Sequence, residues 1–150
     1  MKRLLILLCL LALTLSACGL ESGKSTYTAT ASMYVDQRSA GDQTGMISSS
    51  DTATSQPLIN TYIIMLKSDN VLDKVAQELG QDGLDADALR EMITAEAAED
   101  SSIIYIHVTA DDPQLAIDIA NTMLDVAPGC IMEIVGASTI KPIDYAKKAT

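Results

Sequence analysis

Three places along the chain hold residue types that do chemistry elsewhere in proteins. The first, Gly23-Lys24-Ser25, closes the stretch GLESGKS, and a phosphate-binding loop of pattern G-x-x-x-x-G-K-[ST] ends the same way. The glycine that should open the loop falls on Cys18, and Gly19 is one residue too late. The next residues, TYTATASMYV, alternate like a strand where the motif requires a helix. The spacing argues against a nucleotide site, and ESGKS reads as a polar linker.

The second place is His107, the single histidine. A histidine-based metal site or a Ser-His triad would rest on it alone. It alternates with the apolar residues of its segment, which puts it on the solvent side of a strand. The third is Asp111-Asp112, a possible carboxylate pair that an N-cap ahead of Pro113 explains more simply. Glu96, Glu99 and Asp100 read as turn charges, and Asp36, Asp42 and Asp51 lack the spacing of a calcium loop. With no Trp, no Phe and five Tyr, little aromatic surface is available to stack a sugar ring or a base. No catalytic group, cofactor or metal is expected.

One residue does carry a chemical expectation. Lys2 and Arg3 precede an apolar run from Leu4 to Leu15, broken only by Thr14, and Ser16-Ala17-Cys18 follow. This is the layout of a secretory signal. The run of 12 residues is shorter than the roughly 20 needed to cross a bilayer. Leu15-Ser16-Ala17-Cys18 resembles a bacterial lipobox, so Cys18 is the expected lipid attachment site and first mature residue. That places the protein on the extracytoplasmic face of the cell membrane, held by lipid.

Removing residues 1–17 leaves 133, enough for one domain with a modest core. Those 133 carry 8 basic against 20 acidic side chains, a net charge of −12. Such a surface repels nucleic acid and anionic headgroups, so neither is an expected partner. Cys9 leaves with the leader and Cys18 carries lipid, so Cys130 has no mate for a disulfide and reads as a small buried hydrophobe.

The elements follow from periodicity. Tyr27 to Val35 alternates strictly, with Ala29, Ala31, Met33 and Val35 on one face and Thr28, Thr30, Ser32 and Tyr34 on the other. A polar stretch from Asp36 to Ser55 reads as a long loop. Pro57 marks the expected start of a helix with Leu58, Tyr62 and Met65/Leu66 inward. Ser68-Asp69-Asn70 caps a second helix with Val71/Leu72, Val75 and Leu79 inward, stopped by Gly80. Asp85, flanked by Leu84 and Leu89 as a hydrophobic staple, opens a third. Ile93 to Ala97 and Ile103 to Thr109 form a hairpin, with Ile104, Ile106 and Val108 on one face. Asp112-Pro113 opens the last helix, with Leu115, Ile119, Thr122/Met123 and Val126 inward. Pro128-Gly129 should kink or break that helix. STIKPID reads as a final edge strand because Pro142 cannot donate to a ladder.

The order β-α-α-α-β-β-α-β predicts an α+β domain of two layers, a small, mostly antiparallel sheet packed on helices. The expected organisation is a signal peptide over 1–17, a linker over 18–25, one domain over 26–147 with a polar loop at 36–55, and a tail over 148–150.

YTATASMYV, PLINTYIIMLKSDNVLDKVAQELG, DALREMITAEAAEDSSIIYIHVTADDPQLAIDIANTMLDV and IVGASTIKPIDYAKKAT stand in an order that resembles polysaccharide chain-length determinant proteins. These are the Wzz-type and capsular-polysaccharide co-polymerase family. The most specific part is Asp100 to Asn121, and the resemblance covers residues 26–147. It implies a non-catalytic scaffold that forms homo-oligomers on the outer face of the membrane. There it would act beside a polysaccharide polymerase or a lipid-linked polysaccharide and set how long a surface polymer grows. Gram-positive members also activate a tyrosine kinase through a cytoplasmic tail. Here a lipobox leader stands where the family has its first membrane helix. The chain stops at Thr150, where the approach to a second would start, which puts a kinase partner in doubt. The competing reading is a lipoprotein binding module that keeps the fold without the co-polymerase role.

Overall fold

In a computed structural model of the chain, residues 25–36, 52–136 and 139–150 are described. Among these residues four strands, β1 (Tyr27–Asp36), β2 (Ile93–Ala97), β3 (Ile103–Ala110) and β4 (Thr139–Asp144), form one antiparallel sheet in the order β2-β3-β1-β4, and four helices follow the chain order read from the sequence. The fold is α+β.

The centre of the sheet is β1 (Tyr27–Asp36) beside β3 (Ile103–Ala110), in register from Tyr27↔Ala110 to Tyr34↔Ile103. Alternation decides the faces: Ala29, Ala31, Met33 and Val35 of β1, and Ile104, Ile106 and Val108 of β3, are all buried on the helix side. Full burial of each Ile, Met or Val contributes about 1.5–3 kcal/mol. β2 (Ile93–Ala97) pairs with β3 from Ile93↔Val108 to Ala97↔Ile104. Between them Asp100 adopts φ 51°, a left-handed turn conformation that aspartate tolerates better than most residues. On the other side β4 (Thr139–Asp144) pairs with Ser32 to Asp36, with a register shift between Ser32 and Met33. It is an edge strand, as Pro142 requires.

The first helix, α1 (Thr52–Leu66), opens ahead of Pro57, inside the stretch read as loop. The proline costs one hydrogen bond near the helix start, and burial of Ile59, Tyr62 and Leu66 fastens the remainder to the core. Ser68 begins α2 (Asp69–Leu79), but its hydroxyl donates back to the Met65 carbonyl at 2.7 Å instead of capping the new helix. Gly80 ends α2 in the left-handed conformation at φ 59°. In α3 (Ala86–Met92) the Asp85 carboxylate accepts from the Ala88 N–H at 2.8 Å, and Leu89 is buried as the staple requires. Arg90 pairs with Asp69 and Asp87, joining α3 to the start of α2.

The main core helix, α4 (Pro113–Val135), is capped by Asp112, which accepts from the Leu115 N–H at 2.8 Å. It does not end at Pro128. The apolar stripe stays in phase across the proline, with Leu124 and Ala127 before it and Cys130 and Ile131 after it all buried. That burial outweighs one missing hydrogen bond. The buried face runs through Ala116, Ile119, Ala120, Met123 and Ala127, rotated from the expected Leu115–Val126 line, and both of those residues are only half-buried. α4 packs against β1, and both buried surfaces carry small side chains, Ala116, Ala120 and Ala127 on the helix and Ala29 and Ala31 on the strand. By length and composition α4 could cross a membrane. Eight of its residues are buried against this fold, which accounts for its apolarity.

Candidate functional site

All the helix packing falls on one face of the sheet. The other face carries the second set of alternating side chains, and among the described residues no helix covers it. The register lines them up across strands: Thr94, His107 and Thr30 in one row, Glu96, Tyr105 and Ser32 in the next. Hydrogen bonds run both along a row and diagonally between the two. Thr30 Oγ1 lies 2.9 Å from His107 Nδ1, and His107 Nε2 lies 3.3 Å from Glu96 Oε1. Thr28 and Thr109 share a hydroxyl–hydroxyl bond of 3.0 Å. A neutral imidazole satisfies both its contacts, with Nδ1 accepting from Thr30 and Nε2–H donating to Glu96.

The sequence Glu96–His107–Thr30 has the composition of a nucleophile, a base and an orienting acid. Its setting differs from that of a hydrolytic site. The Glu96 side chain is 70% exposed on an open sheet face, where water competes for each bond, whereas activated nucleophiles work in enclosed, preorganised sites. The arrangement fits a polar surface lattice better than a reaction centre.

Where β4 ends, the chain leaves the sheet and returns. Asn121 of α4 holds the Ala146 backbone through two hydrogen bonds, Tyr145 donates to Asp125 Oδ1 at 2.6 Å, and Thr150 exchanges two backbone bonds with Thr28. The Asp125 carboxylate, as acceptor of that bond, holds the Tyr145 phenol above its usual pKa, and partial desolvation adds to the effect. Between this segment and β1 lies a groove of about 320 Å³, lined by Thr28, Thr30, Asp144, Tyr145, Lys147 and Lys148 among others. Asp144 also accepts from the buried Ser32 hydroxyl at 3.4 Å.

The residues singled out in the sequence end up apart. Cys18, Asp42 and Asp51 lie outside the described residues. His107 stands on the predicted strand face but is half-buried between Thr30 and Glu96. Glu96 is not a turn charge: it belongs to β2, because pairing continues to Ala97. Asp112 is the cap of α4, Asp36 ends β1, and no three His, Cys, Asp or Glu among the described residues are grouped to hold a metal. Cys130 is a buried free thiol. Beside it, Lys74 is held above its usual pKa, first by its hydrogen bond to Glu133 and then by the thiol. Sequence reasoning missed the groove. Its one signal was the bunching of Lys141, Lys147 and Lys148 around Tyr145 in an acidic chain.

Comparison with known proteins decides the family. Residues 1–79 match the family model described as Wzz, chain length determinant protein. The chain belongs to the chain length determinant family. Members and relatives extend the match beyond α2. "Probable capsular polysaccharide biosynthesis protein YwqC" of Bacillus subtilis (strain 168) is 28% identical over 149 residues, covering 97% of this chain and 59% of that protein. "Capsular polysaccharide biosynthesis protein CpsC" of Streptococcus pneumoniae is 28% identical over 152 residues, covering 99% of this chain and 65% of its own. "Capsular polysaccharide biosynthesis protein CapA" of Staphylococcus aureus is 27% identical over 145 residues, covering 96% and 64%. The chain thus spans about three fifths of the length of these relatives.

Proposed function

We propose that this protein is a membrane-anchored, extracytoplasmic scaffold that regulates the chain length of a capsular or related surface polysaccharide. It works through assembly rather than turnover. The observation that carries this reading is the family match over residues 1–79, continued to nearly the whole chain by three capsular polysaccharide biosynthesis proteins. The anchor in this reading is lipid on Cys18, and the partners are further copies of the chain and a polysaccharide polymerase or its lipid-linked product.

Electrostatics set the conditions for such assembly. A net charge of −12 on residues 18–150 opposes association in free solution. Screening over about 8–10 Å at physiological salt reduces that repulsion, and confinement to a surface raises the effective concentration.

The test is deletion of the gene in its capsule-forming host, with the polymer length distribution read before and after, together with crosslinking of the full chain on vesicles at about 0.15 M salt. A shifted distribution and oligomers at high surface density are expected. An unchanged distribution with a monomeric tethered protein overturns the scaffold reading and leaves a lipoprotein binding module in its place.

A further inference from the structure

We propose that α4 is hinged at Pro128–Gly129. The part beyond the hinge, Gly129–Val135, opens as one unit while Pro113–Ala127 stays packed, and its opening uncovers the buried Cys130 thiol.

The backbone of α4 is weakest at this point for two covalent reasons. Pro128 has no N–H to give the Leu124 carbonyl, and its ring crowds that carbonyl. Gly129, the next residue, is of the type that costs a helix interior most after proline. Close packing does not call for the glycine, because no packed neighbour lies within 4 Å of where its Cβ would stand. A proline followed by a residue with no steric reason to be small leaves the helix free to bend there.

Packing is unequal on the two sides. Six of the eight buried residues of α4 precede the proline, from Ala116 to Ala127, and Cys130 and Ile131 follow it. In the last turn Met132, Ile134 and Val135 are 56%, 52% and 40% exposed. The outer part is tied further to α2 by the Lys74–Glu133 pair at 3.2 Å, whose carboxylate side chain is 71% exposed. An exposed pair of that kind contributes little. Gly136 then ends the helix in the left-handed conformation, at φ 78°. The outer part therefore lies between two glycines and is held mainly by two buried side chains. Proteins open locally in contiguous units, and those with few buried contacts open first.

Opening has a chemical consequence. Cys130 is a free thiol and 2% exposed, so a reagent reaches its sulfur only when the outer part lifts from the core. The inner part, seated on β1 and β3, need not move.

The experiment is hydrogen exchange on the full chain in a zwitterionic detergent, read residue by residue by NMR. It is paired with maleimide labelling in a Cys9→Ser/Cys18→Ser background, which leaves Cys130 as the single thiol. The amides of residues 129–135 should share one opening equilibrium, about tenfold or more larger than that of the inner part, with a step at Pro128. Gly129→Ala should reduce that opening about fourfold for every amide of the unit, the factor its helix propensity implies, and slow labelling of Cys130 equally. Pro128→Ala, which supplies the missing donor, should slow both further. Urea below the unfolding transition should leave labelling nearly unchanged, because a local opening exposes little surface.

A smooth gradient of exchange running inward from Val135 would mean ordinary end fraying, and labelling that climbs with urea as steeply as global unfolding would mean that the whole domain opens. Either result overturns the hinge. So does equal protection on both sides of Pro128, or a Gly129→Ala variant in which residues 132–135 and the thiol are unaffected.

Discussion

Asn121 holds the backbone of Ala146 the way a neighbouring strand would. Its Oδ1 accepts from the Ala146 N–H at 2.8 Å, and its Nδ2 donates to the Ala146 carbonyl at 3.1 Å. One side chain on α4 thereby satisfies both polar groups of a peptide that has left the sheet, and Ala146 can be buried without cost to its backbone. The same clamp sets Tyr145 against Asp125 and carries Lys147 and Lys148 back toward β1.

Replacing Asn121 with Ala leaves both groups of the Ala146 peptide without these partners. The expected loss is about 1–3 kcal/mol in urea melts, with faster hydrogen exchange at the Ala146 amide. Asn121→Asp keeps the acceptor and should lose less. A melt of Asn121→Ala that overlays the wild type would show that water replaces the clamp at no cost.

Ile106 and His107 are consecutive and point to opposite faces of β3. Ile106 is fully buried beneath α4, so Ile106→Ala should cost about 2–5 kcal/mol through the cavity it leaves. His107 is half-exposed and loses only its bonds to Thr30 and Glu96, so His107→Ala should cost about 1 kcal/mol. Equilibrium unfolding of the two variants side by side checks the order.

The raised pKa of Tyr145 has a sign that can be tested. Because Asp125 accepts from the protonated phenol, the folded-state pKa lies above the ordinary 10.0. The stabilisation is therefore complete below pH 10.0 and is lost as pH rises through the higher folded value. Tyrosinate absorbance should show one phenol titrating late in the wild type and earlier in Asp125→Ala. Tyr145→Phe should remove that phase. Identical titrations of wild type and Asp125→Ala would mean that the bond is absent in solution.

Cys18 is the expected point of lipid attachment, and a palmitate analogue fed to cells tests it. Wild type should be labelled and found with membranes, and Cys18→Ala should lose both label and sedimentation. Stable retention requires more than one acyl chain, because a single chain binds only reversibly. Equal labelling of the two proteins would remove the anchor.

Sequence alone determined most of the local architecture, because the signals are short-range. The alternation of Ala29, Ala31, Met33 and Val35 declares a strand face by chemistry that any window of a few residues contains. Asp85 and Asp112 cap helices through bonds to residues three positions on, and Gly80 ends one through its own backbone freedom. Pro142 selected an edge because a missing N–H is a covalent fact.

Tertiary structure decided what depends on partners far along the chain. Pro128 carries a local penalty that predicts a break, but Leu124, Ala127, Cys130 and Ile131 are buried on both sides of it, and packing outweighs one lost bond. The burial of Ile59, Tyr62 and Leu66 on α1 is settled by what that part of the helix rests on, not by where proline is usually found. The bonds joining Thr30, His107 and Glu96 depend on a register that brings three strands together. The groove beside Lys147 and Lys148 depends on distant partners that hold the segment after β4: Asn121, 25 residues from Ala146, Asp125 against Tyr145, and Thr28 against Thr150. Periodicity reports the face on which a residue stands; it carries no information about which distant residue stands opposite, because pairing and closure are settled by the packing of the whole domain.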